Sequence, residues 1–475
     1  MTLQPIALNQ LHSSLEDPVL DGINFLNEVM DLYPTAISFA PGAPHAETLR
    51  GFDPAACIER YREHLRDVDG LAPAAIDKRL YQYGAARGLI NDILAGALRI
   101  DQQIHARPRD IVVTVGAQEG MLLVLRALCR DPGDLLAVVN PSFIGIRGAA
   151  RILDIPTLPI PEAADGRGVD AEALAQACIE TRSQGRRVRA LYVASDFANP
   201  SGTRMSLAAR QELLRLADAH DFLILEDNAY GFTAEDAAAL PTLKALDQRG
   251  PLSTGRVVYL GTCAKICLPG LRLGFVVADQ PVRRGSGEAG VLAEELATIK
   301  SMVTVNTSPL CQAMVAGLIL QHGGSLDAVG RSKAALYRRN LRVLLEALDR
   351  HLGAEAGTAL HWNCPEGGFF VRMQLLVPVT PELVHLSARR HGVLWMPMSG
   401  FFLDGGGQNE LRLSCSYLDP RQIDQGVQRL AAFLRDPDVG VLPAAAAPTR
   451  LAASLEDASR ETVALHPDPL SVVDD

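Results

Sequence analysis

Residues 257–279, VVYLGTCAKICLPGLRLGFVVAD, set two apolar, β-branched runs around a turn that carries a single lysine, Lys265. Runs that are apolar at every position, rather than at alternate ones, are the pattern of strands covered on both faces. Lysine is almost never buried without a partner, so a lysine between two such strands needs a chemical reason. The same texture appears upstream in IVVTVG (111–116), LLAVVNP (135–141), ALYVASD (190–196) and FLILED (222–227), and VVYLGT (257–262) and LRLGFVVA (271–278) close the series. Helical segments such as SLAARQELLRLADAHD lie between runs and supply the crossovers. The chain therefore reads as α/β, with a mostly parallel, doubly wound sheet. Ser206 is placed to cap the helix it opens, its hydroxyl taking an orphan first-turn amide.

Texture divides the chain. Residues 1–60 have no strong period and are expected to pack with the small domain; 61–330 form the large α/β domain. At 331–437 a long charged helix leads into HWNCPEGGFFVRMQL, VLWMPMSGFF and LRLSCSYLDP, the pattern of a smaller α+β domain. Residues 438–475, rich in Pro and Ala with an acidic end, read as a disordered tail.

With 475 residues, 48% of them hydrophobic, the chain is long enough for two domains and a sizeable core. Its 45 Lys and Arg against 55 Asp and Glu give a formal charge of −10. That leaves no basic footprint for nucleic acid or an anionic membrane, and a small molecule is the expected partner. The N-terminus lacks a basic region followed by an apolar one, and no run of about 18 apolar residues occurs, so a cytoplasmic protein is expected. The eight cysteines form no CxxC pair and no Cys/His cluster at metal-ligand spacing; they read as reduced, mostly buried thiols, with no metal.

Open α/β sheets build their sites at the carboxyl ends of their strands, and five polar features fall there. TVGAQEG sets a tight turn at Gly116 before a helix whose free first-turn amides favour an anion; alone it is equally a simple turn. NPSFIG brings Phe143 to the same edge, either as core or as a ring able to stack on a flat cofactor. SDFANPSGT ends a strand in turn-forming residues, and its Asn199 offers an amide there. FLILEDNAYG closes a buried strand with Glu226 and Asp227, followed by Tyr230; a carboxylate so placed needs a cation or a donor, and a protonated ring nitrogen is one. Lys265 near an apolar strand end can have its pKa lowered, which frees the lone pair for a Schiff base, and Arg272 can fork a phosphate dianion. A plain salt bridge between Lys265 and Asp227 accounts for those two residues and not for the others. Together the five describe a cradle for an aromatic, phosphorylated, aldehyde-bearing cofactor, which fits pyridoxal phosphate.

On these residues the chain resembles the fold-type I, pyridoxal-phosphate-dependent aminotransferases of class I/II, over about residues 20–436. The Lys265 stretch is similar to the family's Ser-x-Ser-Lys-x-x-x-Pro-Gly-x-Arg-x-Gly motif, with Thr262, Ala264, Lys265, Pro269, Gly270, Arg272 and Gly274 in register. The resemblance implies that Lys265 carries the cofactor covalently and that Thr262, Arg272, Ala117 and Gln118 hold its phosphate. It further implies Phe143 over the pyridine ring, Asn199 and Tyr230 at the ring oxygen and Asp227 at the ring nitrogen. Tyr83 in LYQYGAARG matches a tyrosine that reaches the phosphate of the neighbouring subunit, which implies a homodimer. Gly42 in SFAPGAPH and Arg412 in ELRLSCSY match groups at the substrate carboxylate, Asn199 beside them. The implied activity is ping-pong transfer of an amino group between an amino acid and a 2-oxo acid, with Lys265 moving the Cα proton. Ala264 departs from the family, which has Ser there, and rearranged phosphate contacts are expected. Asn91, where Arg is common, is a second departure.

DPVLDGINFLNEV, SDFANPSG, PTLKALD, IKSMVTVNTSP and HGVLWMPM are similar to a narrower group, the 3,5-dihydroxyphenylglycine aminotransferases of glycopeptide-antibiotic pathways. That similarity implies an arylglycine product. Two alternatives stand beside it: the same cradle used for oxygen-dependent oxidation of a basic amino acid, and an aminotransferase-like regulator, which the acidic charge disfavours.

Overall fold

A computed structural model gives the fold and describes residues 5–17, 20, 28–235, 239–249, 253–285 and 287–442. After a short strand, Ile37–Ser38 (β1), seven strands build the large sheet. They are Ile111–Thr114 (β2), Asp134–Asn140 (β3), Thr157–Pro161 (β4), Arg187–Val193 (β5), Leu223–Asn228 (β6), Val257–Thr262 (β7) and Gly274–Val277 (β8), in the order β2-β8-β7-β6-β5-β3-β4. Neighbours run parallel except at β8, which is antiparallel to β2 and β7.

Six strands overlap the six apolar runs of the sequence. The seventh, β4, has the sequence TLPIP and sits at the sheet edge, partly exposed, where Pro159 and Pro161 are tolerated because only one side needs a ladder. Its pattern is neither alternating nor continuous, so nothing in the sequence announces it. The run at 271–278 is shorter as a strand than as a sequence pattern: a 3-10 turn, Pro269–Leu271, and Arg272 at φ 46° occupy its start. The arginine is thereby turned out of the ladder.

The helices that position the site are Pro54–Asp67 (α1), Gly116–Leu128 (α2), Ile144–Ile152 (α3), Leu207–His220 (α4), Leu292–Val303 (α5) and Pro309–Gln321 (α6). One apolar layer joins Val112, Leu136, Leu225 and Leu260 of the sheet to Leu125 of α2 and Leu296 of α5. The other joins Ala137, Leu191, Ile224 and Val257 to Leu213 and Leu214 of α4. Coverage of both faces is why these strands are apolar at successive positions. Ser206 caps α4, its Oγ accepting from Ala209 N at 3.2 Å.

Beyond a hairpin of Pro281–Arg283 (β9) and Ala289–Val291 (β10), the 27-residue helix Leu326–Leu352 (α7) leads into the second layer. There Leu360–Trp362 (β11), Phe370–Leu375 (β12), Val393–Leu394 (β13), Met396–Pro397 (β14), Glu410–Ser414 (β15) and Pro420–Leu434 (α8) follow. An antiparallel sheet ordered β11-β12-β15-β14 packs on α7 and α8 around Tyr337, Leu348, Trp395 and Leu430. The expected boundary at 330/331 falls inside α7, which is one unbroken helix.

The described residues of 1–60 divide between the two layers rather than packing with the small one alone. β1 pairs in parallel with β13, Ile37 opposite Val393. But α1 lies along α6, Arg151 Nε reaches Asp17 Oδ2 at 3.1 Å and His12 Nε2 meets Asp154 Oδ2 at 3.0 Å. Val441 and Leu442, inside the tail expected from 438, are buried in the small-layer core. The remainder of that segment, and most of DPVLDGINFLNEV, lie outside the described residues. No helix among the described residues is long and apolar enough to cross a membrane.

α1 and α6 approach so closely that a Cβ at Gly317 would run into the Cys57 carbonyl. Gly317→Ala is expected to destabilise the fold by about 1–3 kcal/mol, as overpacking does, read as a lower midpoint in a denaturant titration.

Candidate active site

The carboxyl ends of β5, β6 and β7, the first turn of α2, β15 and the loop after β1 surround a cavity of about 430 Å³. Alternation along β6 sends its two terminal carboxylates to opposite faces. Glu226 turns away from the cavity and accepts from Ser195 Oγ at 2.6 Å and from the amides of Leu243 and Lys244 at 2.8 Å each. It is a structural group. Asp227 lines the cavity and accepts from Tyr192 Oη at 2.5 Å. Its other oxygen, Oδ1, is buried with no hydrogen-bond partner among the described residues. Burial pushes the Asp227 carboxyl up to about 6, against the Tyr192 hydrogen bond and the field of Lys265, which both lower it.

Lys265 stands on a single helical turn, Cys263–Ile266, that follows β7 directly. Thr262 caps the turn, its Oγ1 accepting from Ala264 N at 3.2 Å. The Lys265 ammonium donates to the Gly42 carbonyl at 2.6 Å, so Gly42 meets the amine through its oxygen. Burial, with the positive fields of Arg412 and Arg272, brings its pKa down to about 8; Asp227 opposes this by its charge.

Arg272 sits at the start of α2. A Cβ at Gly116, itself at φ 75°, would lie 2.7 Å from Arg272 Nη2. The missing side chain is what lets the guanidinium lie against Gly116 at the start of α2, and Ala117 and Gln118, the next two residues, are in the cavity wall. Gln118 spends its side-chain amide on Gly145 O at 3.0 Å, which fixes α2 to α3, and Phe143 immediately before α3 also lines the cavity. A buried pair behind α2 escaped the sequence reading: Lys300 Nζ meets both oxygens of Glu119 at 2.8 and 3.0 Å, while Glu119 accepts from Val115 N at 2.6 Å. Glu119 stands in TVGAQEG and Lys300 in IKSMVTVNTSP, but only the long-range pairing of α5 with α2 gives the pair a meaning.

Arg412 reaches in from β15. It donates to Asn199 Oδ1 at 2.6 Å and to Ala40 O at 2.5 Å, and its buried Nε has no partner among the described residues. The guanidinium lies between the rings of Phe370 and Phe401, 4.4 and 5.1 Å from their centroids. Burial lowers its pKa to about 10. Tyr230, set edge-on to Phe369 and Phe370, is held protonated by burial and the Asp227 charge. The paired phenylalanines in GGFFV and SGFF were a visible signal for this aromatic clamp.

Tyr83 is not in the cavity; it is 86% exposed, next to Asp77, Tyr81 and Gln82 on the outer surface. Asn91 is buried and donates to the carbonyls of Arg87, Pro108 and Ile111, a bracing role that leaves the site alone.

A family model described as aminotransferase class I and II matches residues 79–430. The chain belongs to this family. Among its curated relatives is the (S)-3,5-dihydroxyphenylglycine transaminase of Amycolatopsis orientalis, 44% identical over 431 residues, 90% of this chain and 94% of the relative. Among solved structures, the multiple substrate aminotransferase of Thermococcus profundus matches with a TM-score of 0.74 and 27% identity, covering 91% of this chain and 99% of that one. The α-aminoadipate aminotransferase of Thermus thermophilus, solved with N-(5'-phosphopyridoxyl)-L-leucine, gives 0.70 and 28%, covering 91% and 100%. This aminotransferase has the fold-type I architecture and uses pyridoxal 5'-phosphate. The cavity fits that group: an orphaned carboxylate oxygen at Asp227, a buried amine of lowered basicity and an anion-favouring helix end beside Arg272.

The amine lone pair of Lys265 is exposed as pH rises through about 8. Covalent uptake of pyridoxal phosphate by the cofactor-free aminotransferase, fixed with borohydride, is therefore expected to accelerate through that pH and then level. Lys265→Ala abolishes the fixation.

Proposed function

We propose that this aminotransferase converts an aryl 2-oxo acid to the arylglycine, of the 3,5-dihydroxyphenylglycine kind used in glycopeptide antibiotics. The observation that carries a substrate carboxylate is Arg412, a buried guanidinium with a spare Nε–H, in the same cavity as the Lys265 amine. An aryl side chain is supported by the apolar wall of Pro41, Pro44, Ile144, Met396 and Phe401, and by the name of the 44% identical relative.

When bound, pyridoxal phosphate supplies an electron sink for the pair left as the Cα–H bond breaks. Lys265 holds the cofactor covalently in the resting enzyme, and its amine, once released, takes the proton from Cα. Asp227 keeps a proton on the ring nitrogen. Arg272, Thr262 and the amides of Ala117 and Gln118 would hold the cofactor's phosphate, Phe143 would cover its ring, and Asn199 and Tyr230 would donate to its ring oxygen. Arg412, steadied by Asn199 and with Gly42 alongside, fixes the substrate carboxylate and so sets the direction of the Cα–H bond. The amino group moves in two half-reactions, the first product leaving before the second 2-oxo acid enters.

The unit is a homodimer in this reading. Tyr83 is too exposed to serve its own cavity and instead serves the partner's, and Met302, Val303 and Val305 add exposed apolar surface suited to a second copy. The eight unpaired cysteines fit a reducing compartment such as the cytoplasm.

The pyridoxamine-loaded enzyme, screened against 2-oxo acids for return of the aldehyde-form absorbance, is expected to react fastest with arylglyoxylates; preference for an aliphatic 2-oxo acid would refute the aryl assignment. Arg412→Lys, which loses the planar fork, should lower kcat/KM about a hundredfold. Mixed dimers of Tyr83→Ala with Lys265→Ala subunits should recover activity that neither variant shows alone, since one site then contains both residues. No recovery removes the shared site.

A further inference from the structure

Asp227 is served by a residue to which neither the motif nor the family match gives a role. Tyr192 lies on β5, which runs parallel to β6 with Tyr192 opposite Leu225. Leu225 and Asp227 share a face of β6, so a long side chain leaning toward the carboxyl end of β5 meets the carboxylate one pleat further on. The phenol does this, with Oη 2.5 Å from Asp227 Oδ2. Tyr192 is 1% exposed, packed in the apolar layer under the sheet, so the ring has no room to turn the hydroxyl elsewhere. The consequence is an asymmetric carboxylate: Oδ2 is tied to a phenol, and Oδ1 is left bare on the cavity side.

We propose that Tyr192 is a positioning residue that selects which oxygen of Asp227 meets the cofactor and keeps that carboxylate ionised while it does so. The inference rests on the reading of Asp227 as the partner of the ring nitrogen. The groups that bear on Asp227 are few. Tyr192 and Tyr230 are held as neutral phenols by burial, and Lys265 contributes a positive charge that is lost once its nitrogen is engaged by the cofactor. At that stage, among the described residues, the Tyr192 hydrogen bond is the contact that favours the anion over the acid. Burial alone favours the acid, and a carboxylic acid cannot hold a proton on a pyridine nitrogen. Without the phenol, the proton shared between Asp227 and the ring belongs to the carboxylate; with it, to the ring.

The test uses holoenzyme loaded with pyridoxal phosphate labelled with ¹⁵N in the ring. The nitrogen resonance is expected at the protonated-pyridine position in the wild type and displaced toward the unprotonated position in Tyr192→Phe, which removes one oxygen atom from the core. Asp227→Asn should displace it fully. An unchanged resonance in Tyr192→Phe, with Asp227→Asn displaced, overturns the inference alone; an unchanged resonance in Asp227→Asn removes the reading beneath it. A second measurement does not depend on Tyr192→Phe folding. With 3-fluorotyrosine at position 192, the ¹⁹F resonance should move when Asp227 is replaced by Asn, and a resonance that stays put overturns the contact.

Discussion

Three cations, Lys265, Arg272 and Arg412, and one carboxylate, Asp227, share a cavity of about 430 Å³ walled largely by apolar side chains. Desolvation acts on them in opposite senses, pulling Lys265 and Arg412 down and Asp227 up. Much of the surrounding structure can be understood as what makes this concentration of charge tolerable. The phenylalanines around Arg412 offer ring faces, and backbone carbonyls of Gly42 and Ala40 take the ammonium and guanidinium protons. Each of these partners lacks a full charge. None of them neutralises the site, and the charges stay available to an anionic ligand.

The parallel sheet was legible because burial on both faces writes itself into sequence as unbroken apolar runs. Lys265, Asp227 and Arg272 stood out because charge at the end of such a run has few explanations. What stayed hidden was of another kind. β4 is an edge strand with two prolines, and the apportioning of residues 1–60 between the two layers depends on β13, more than three hundred residues away. Glu119 and Lys300 look like ordinary helix-surface residues until α5 is laid against α2. Tyr83 was legible by its neighbours in sequence and not by its surroundings, which are an exposed stretch of surface away from the cavity of its own chain.

Glu226 and Asp227 illustrate the limit of reading composition at a strand end. Adjacent in sequence and chemically alike, they differ by one step of the pleat, and that step divides them between unrelated tasks. Glu226 binds the start of Leu243–Asp247 and contributes to holding the sheet together. Asp227 faces the cavity with one oxygen unclaimed. Two carboxylates in tandem guarantee that whichever face the strand presents, one is inside and one is outside.

α7 runs unbroken for 27 residues, about 40 Å at the helical rise. Its first turns lie against the Lys265 turn, where Gly330 faces Ile266 and Lys333 donates to the Cys267 carbonyl. Its last turns, at Leu348 and Leu352, are embedded in the small-layer core beside β15. It is a strut with one foot under the amine and the other in the layer that holds Arg412. One continuous helix therefore ties the position of the layer that carries Arg412 to the position of the turn that carries Lys265.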